Sequence, residues 1–347
     1  MADGTRDLSP ALPGTPGRRP GRVFPRVGSH WIVMALALAA LLVEVAGRAF
    51  GLHTPVLYEA TDYGYRVAPN QEIHRFGHSI RYNAMGLRND TAPALPAPGV
   101  TRILCLGDSV TNGGAVTSQQ DTITAKLEAL LRRRMRQPEV LNASAPGWAI
   151  ANEAGWLRTV GTLGSSYVVL IISTHDLFQD PAPSSTVDSH PSFPSTRPVL
   201  ALQEVLNRYL LPRFAPSIVQ QDPGAAGVAA TSEAAARNRQ LVTAIADKVE
   251  NDGSRLVVVF LEQAGDNDGD LPTLAAKRRM FALLGERRVP VVTLGSEVER
   301  LGREAMFADE VHPTPAGNQV IAEEIDRKLR SLAADGPTSS PRGEARE

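Results

Sequence analysis

Four short polar stretches carry the residue types that nucleophilic acyl chemistry requires. Such chemistry needs a hydroxyl to attack a carbonyl, a base to take its proton, a carboxylate to orient the base, and donors for the oxyanion. LGDSVTNG (106–113) sets Ser109 directly behind an apolar run. NASAPG (142–147) supplies Gly147 at a loop-to-helix junction, and STHD (173–176) brings His175 and Asp176. DEVHPTPAG (309–317) holds Asp309 and His312 three residues apart. In a turn, that spacing can set a carboxylate beside the imidazole Nδ1 and leave the other ring nitrogen free to act as base. Pro313 and Pro315 stiffen the loop and suit a helix start. By local pattern alone, LGDSVTNG also reads as an ordinary turn, with glycine at the bend and Asp or Ser capping the next helix. Asp108 is expected to order that elbow through nearby backbone, Asn142 to do the same for the loop carrying Gly147, and Asn112 to serve as a turn residue. Trp148 is expected either to line an acyl pocket or to pack under a helix.

The elements that must position these residues are legible as apolar patterning. Near-continuous β-rich runs occur at 102–107, 139–143, 167–173, 255–261 and 289–294, as expected of strands buried on both faces of a parallel sheet. Between them lie amphipathic stretches, such as 119–137 with Ile123, Leu127, Leu130, Leu131 and Met135 on one stripe. The alternation predicts a three-layer α/β/α sandwich around a mainly parallel five-stranded sheet. Ligands of such sheets bind at the carboxyl ends of the strands, where the LGDS stretch falls. Residues 53–100 read as a small β-rich pre-domain, with NAMG (83–86) as a turn and the Pro-rich DTAPALPAPG (90–99) as linker. Residues 177–231 interrupt the rhythm as a long insertion, of the kind that forms lids, binding loops or subdomains.

These blocks, in this order along residues 101–333, resemble those of the SGNH (GDSL-type) hydrolases. The resemblance implies an SGNH/flavodoxin-like fold in which Ser109 is the nucleophile, His312 the general base and Asp309 its orienting acid. It also implies that the backbone N–H groups of Ser109 and Gly147 donate to the oxyanion. The family's third donor is an Asn in a Gly-x-Asn-Asp turn, and His175 stands at that position here. His175 therefore either serves as the donor, tunes a different reaction or marks weakened catalysis. The implied activity is that of a serine esterase forming an acyl-serine on ester-linked acyl groups, such as O-acetyl groups of envelope or exopolysaccharide glycans. Two alternatives are an O-acyltransferase using the same serine and a non-catalytic glycan-binding envelope protein.

Composition bounds the remaining possibilities. The 347 residues carry a formal charge of −1, which gives no basic excess for nucleic acid. A lone cysteine, Cys105, excludes an internal disulfide framework and CxxC sites. No cofactor is expected, and no metal: His74, His78 and His190 lack ligand spacing, and DNDGD (266–270) reads as a polar loop because Leu271 and Lys277 stand where a calcium loop needs Gly and Glu. Residues 1–30 and 334–347 have the composition of disordered tails. Residues 31–52 are apolar apart from Glu44 and Arg48, a length that suits a membrane-spanning helix. Five arginines precede that span, which predicts a cytoplasmic N-terminus and an extracytoplasmic catalytic domain. A signal peptide cut after Ala49 and a buried soluble helix are the competing readings. The expected partners are an acylated small molecule or glycan and the membrane; the oligomeric state is left open.

Overall fold

The structure, a computed structural model, describes residues 29–214, 231–263 and 270–334. The chain divides into two units, residues 1–42 and 43–347. Helix α1 (Ser29–Ala49) opens the described chain, and its stretch His30–Ala49 is long and apolar enough to cross a membrane or to be a signal sequence.

Two antiparallel hairpins follow, β1 (Tyr58–Thr61) with β2 (Gly64–Val67) and β3 (Gln71–Arg75) with β4 (His78–Tyr82). The NAMG turn forms as expected, closed by the Gly86 N–H on Asn83 O at 3.0 Å. Next come β5 (Thr101–Gly107), the single turn α2 (Ser109–Asn112), α3 (Ile123–Leu131), β6 (Pro138–Ser144), α4 (Ile150–Val160) and β7 (Tyr167–Ser173). The insertion contains α5 (Ala201–Glu204), six π-helical residues Val205–Leu210, and α6 (Leu211–Phe214); residues 215–230 of it lie outside the described residues. The chain continues with α7 (Ser232–Asn251), β8 (Arg255–Leu261), α8 (Leu271–Glu286), β9 (Val291–Thr293), α9 (Gly295–Leu301), α10 (Arg303–Met306) and α11 (Pro315–Ala334). Most of DNDGD and the two terminal tails also fall outside the described residues.

All five predicted runs become strands of one parallel sheet in the order β6-β5-β7-β8-β9. Side chains alternate across each strand and so split the core in two. Leu104, Leu106, Leu170 and Phe260 face a core that includes Trp156 of α4 and Met280 of α8. Ile103, Cys105, Ile171 and Val259 face the other, with Leu127 of α3 and Ile325 of α11. Burial pushes the Cys105 thiol up to about 12, so it behaves as a small core residue. The strand order reverses between β5 and β7, which makes the carboxyl edge there a crevice open to ligand.

Residues 53–100 share the first of these cores: Tyr65, Ile73, Ile80 and Tyr82 are packed with the sheet residues. They also hold the loops at the sheet's carboxyl edge. Arg88 is buried and donates to the carbonyls of Asn112, Gly114 and Thr117. Tyr82 donates its hydroxyl to Asn112 Oδ1 at 3.0 Å, and Tyr65 donates to Pro146 O at 2.6 Å. Removing a buried partner leaves each stranded acceptor a penalty of about 1–3 kcal/mol. Arg88→Leu is therefore expected to lower the unfolding free energy by about 3 kcal/mol or more. Chemical denaturation checks this, and a variant within about 0.5 kcal/mol of wild type would show that these loops hold themselves.

Candidate active site

Ser109 is the first residue of α2, at the sharp turn off β5. Asp108 caps that turn, its Oδ1 accepting the Val110 N–H at 2.9 Å, as expected of an elbow-ordering residue. Asn142 ties β6 to the elbow by donating to Thr111 O at 2.8 Å and Thr124 Oγ1 at 3.1 Å. Asn112 does more than turn the chain. It is fully buried and bridges Tyr82 to the carbonyl of Ser144. A short polar residue after a turn carries no local sign of such a long-range bridge.

His312 arrives from the far end of the chain. Its loop is braced by the Ala308 N–H on His312 O at 2.8 Å, by the Thr314 N–H on Met306 O at 2.8 Å, and by the Thr314 hydroxyl on Ala305 O at 2.7 Å. Gly317 at the start of α11 is needed for close approach, since a Cβ there would sit 1.9 Å from Met306 O. The result brings His312 Nε2 to 2.9 Å from Ser109 Oγ, and His312 Nδ1 to 2.8 Å from Asp309 Oδ2. Asp309 Oδ1 accepts the backbone N–H groups of Val311 and His312 at 2.8 and 2.7 Å. Partial burial works against its charge, but these donors and the His312 ring together hold the carboxyl below its usual range.

Ser109, His312, Asp309 and Gly147 line one cleft of about 630 Å³, with Val56, Tyr58, Phe193 and Arg208 along its walls. Gly147 adopts φ +78, a conformation only glycine takes without strain. As the first residue of a helical turn, Ser109 has no intrahelical acceptor for its N–H. Trp148 packs away from the cleft: it is buried, edge-on to Tyr63, with Nε1 donating to Tyr65 O at 2.7 Å. A larger groove of about 1040 Å³ lies between the β3–β4 hairpin and α3 and is lined by neither Ser109, Asp309 nor His312.

His175 is placed differently from the other predicted residues. Its Nδ1 lies 2.8 Å from Ser173 Oγ, and its Nε2 lies 3.5 Å from Asp108 Oδ2 and 3.4 Å from Asp176 Oδ1. It is not among the residues lining the cleft. Burial opposes its charge, yet Asp176 and Asp108 outweigh that and push it up to about 9. Both ring N–H groups of the imidazolium are thus directed at Ser173 and the two carboxylates. Asp108, His175 and Asp176 also bring ligand-type atoms within 4.8 Å of one another, a spacing open to a cation.

A residue that no motif signalled completes this cluster. Glu153 of α4 is fully buried, and neither carboxylate oxygen has a hydrogen-bond partner among the described residues. Burial and the charges of Asp176 and Asp108 raise it well above the usual carboxylate range. Burial raises Asp176 to about 6, against the pull of His175. Its only local sign is an acid on a helix face otherwise filled by Ile150 and Trp156.

All three shifts raise proton binding in the folded state, so stability falls as pH rises through each window. Asp176 acts between about 4 and 6, and His175 between 6.5 and about 9, with Glu153 falling from its ordinary value upward. Each extra proton contributes a slope of about 1.4 kcal/mol per pH unit. Denaturation midpoints are expected to decline steadily from pH 5 to 9, and Glu153→Gln to flatten the decline. A midpoint that is level across this range in the wild type would show that the cluster is not charged as described.

Comparison with known proteins bears on this geometry. Residues 105–320, well over half of the chain, match the GDSL-like Lipase/Acylhydrolase family. A comparison with curated proteins found no match. Among solved structures, similarity extends to a putative lipolytic G-D-S-L protein from Desulfitobacterium hafniense, at 13% identity over 66% of this chain and 99% of that one, TM-score 0.43. TesA aligns at 19% identity over 67% and 99%, TM-score 0.44. A catalytic mutant of Axe2, an acetylxylan esterase from Geobacillus stearothermophilus, aligns at 15% over 66% and 94%, TM-score 0.43. At such scores these likenesses carry no argument about activity. The family match does, and this chain belongs to the GDSL-like lipase/acylhydrolase family of serine hydrolases.

Proposed function

We propose that the protein is a serine esterase that cleaves ester-linked acyl groups through Ser109, His312 and Asp309. The observation that carries this reading is the unbroken chain of contacts from Ser109 Oγ to His312 Nε2 and from His312 Nδ1 to Asp309 Oδ2, at 2.9 and 2.8 Å. His312 takes the Ser109 proton as Oγ attacks the ester carbonyl carbon. The carbonyl oxygen becomes an oxyanion facing the Ser109 and Gly147 N–H groups. Collapse breaks the bond to the alcohol, which leaves with the proton from His312, and an acyl-serine remains. A second hydroxyl, activated by the same imidazole, then attacks the acyl-serine and restores Ser109. His175 acts in this scheme through its charge beside Asp108, below the elbow, and two backbone donors form the oxyanion hole.

Water as the second hydroxyl makes the reaction hydrolysis; a sugar hydroxyl makes it transfer. The exposure of the site favours water, since the His312 and Asp309 side chains are 48% and 55% accessible. O-acetylated glycans fit the proposed layout, with α1 as a single-pass anchor, the N-terminus cytoplasmic and the catalytic unit outside. The assembled triad argues against a purely glycan-binding role.

A fluorophosphonate probe is expected to label the folded wild type and to leave Ser109→Ala unlabelled. Absence of label on well-folded protein would overturn the enzymatic reading. On p-nitrophenyl acetate, Asp309→Asn is expected to lower kcat on the order of 10³-fold, because the imidazole loses the acceptor that sets its tautomer. Product analysis with an added oligosaccharide should show free acetate; acetyl transfer to the sugar at the expense of hydrolysis would replace esterase by transferase.

A further inference from the structure

Exposed apolar side chains are not scattered over the catalytic unit. Of the fifteen large ones described between Val43 and Ala334, seven fall within residues 199–214 and three within 43–50. Val199 and Phe214 are each 80% exposed, and Leu206, Tyr209, Leu210 and Leu211 lie between them. A contiguous patch of this kind marks a surface that meets something apolar.

The same segment has a second, well-packed face. Ala201 and Glu204 are buried, with Glu204 paired to Arg75 at 3.1 Å from its Nη1. Arg75 and Arg208 line the cleft that holds Ser109, so the inner face of the segment is a wall of the site. The outer apolar face is left without a protein partner among the described residues.

Two contacts join this segment to the last turns of α1. Glu44 Oε2 accepts the Leu202 N–H at 2.9 Å, at the start of α5. Arg48, itself bonded to Glu44 at 2.6 Å, donates to Val199 O at 2.9 Å. Gly47 allows the backbones to close, because a Cβ there would lie 2.8 Å from the Ala201 Cβ. The patch is therefore tied to the turns where the long apolar helix ends. Arg213 is exposed within the segment and Arg197 just before it, the sign that suits anionic headgroups.

We propose that residues 199–214 lie on the lipid bilayer beside the end of α1, with Leu206, Leu210 and Phe214 inserted at the headgroup–acyl boundary. The occupant of the patch is lipid, and it is reached because α1 crosses the same bilayer; the inference rests on that reading of α1. Helical segments with one apolar face and basic flanks bind membranes in this in-plane manner. The consequence is a fixed station for the catalytic cleft, whose insertion-built wall stands on the membrane surface.

The full-length protein in nanodiscs of phosphatidylcholine and phosphatidylglycerol tests this. Single variants Leu206→Cys, Phe214→Cys, Leu38→Cys and Val160→Cys would each be labelled with an environment-sensitive fluorophore; Cys105 is buried and does not interfere. The readout is quenching by lipids carrying a doxyl group on the acyl chain. We expect loss of fluorescence at 38, 206 and 214, and none at 160, which ends α4 at the opposite edge of the sheet from Ser109. Quenching at 38 with a water-exposed label at 206 and 214 overturns the proposal and leaves the anchor standing. Labels at 206 and 214 that are shielded from water but unquenched by lipid also overturn it, in favour of a second copy or another protein. No quenching at 38 removes the anchor reading instead, and quenching at 206 and 214 in that case shows that the patch binds lipid without it.

Discussion

A single contact of 2.9 Å, between Ser109 and His312, organises the carboxyl edge of this structure. The two residues are 203 positions apart, so no local preference can set their distance. One end is fixed by the parallel sheet. β5 lies between β6 and β7, and the turn at its end leaves Ser109 half-buried while its neighbours are buried. The other end is fixed by a loop that crosses itself, with main-chain hydrogen bonds tying residues 306–308 to 312–314. A shift of either support by an ångström would separate hydroxyl from imidazole, a loss that intramolecular positioning otherwise avoids.

The elbow is held from outside the sheet as well as from within it. Backbone carbonyls in the loop 112–117 have no strand to pair with, and burial forbids leaving them bare. Arg88 supplies the missing donors with one planar side chain, reaching in from the segment that follows the hairpins. The hairpins and the sheet share one core, so the clamp is rigid for the same reason that the core is dense. The elbow's Asp108 also belongs to the cluster with Asp176, Glu153 and His175. There Asp176 and Asp108 favour the charged form of His175, and burial favours the protonated form of Glu153.

The insertion gives the cleft a wall that the triad alone lacks. One face of residues 199–214 completes the cleft, and the other carries exposed apolar side chains among the described residues. Glu44 and Arg48, the two charged residues in the apolar segment, satisfy each other and the free backbone groups of that insertion. Their charges are thereby used within the protein, which is why the apolar helix can tolerate them.

By itself the sequence determined the fold class and the five strands, and its resemblance to a known family pointed to Ser109, Asp309 and His312. The roles of Ser109, Asp309 and His312 are implied by the order of four short blocks along the chain, whereas the strands are written locally, as continuous apolar runs with polar turns behind them. Their local form survives folding because burial and turn chemistry are properties of a few neighbouring residues. Only the tertiary structure decided what His175 faces, that Glu153 is buried without a partner, that Asn112 is a bridge, and that residues 53–100 grip the active-site loops. Those outcomes depend on which side chains from distant segments share a low-dielectric space. A motif names the residue at a position, whereas the charge and hydrogen bonds of that residue belong to neighbours that the chain brings in from elsewhere.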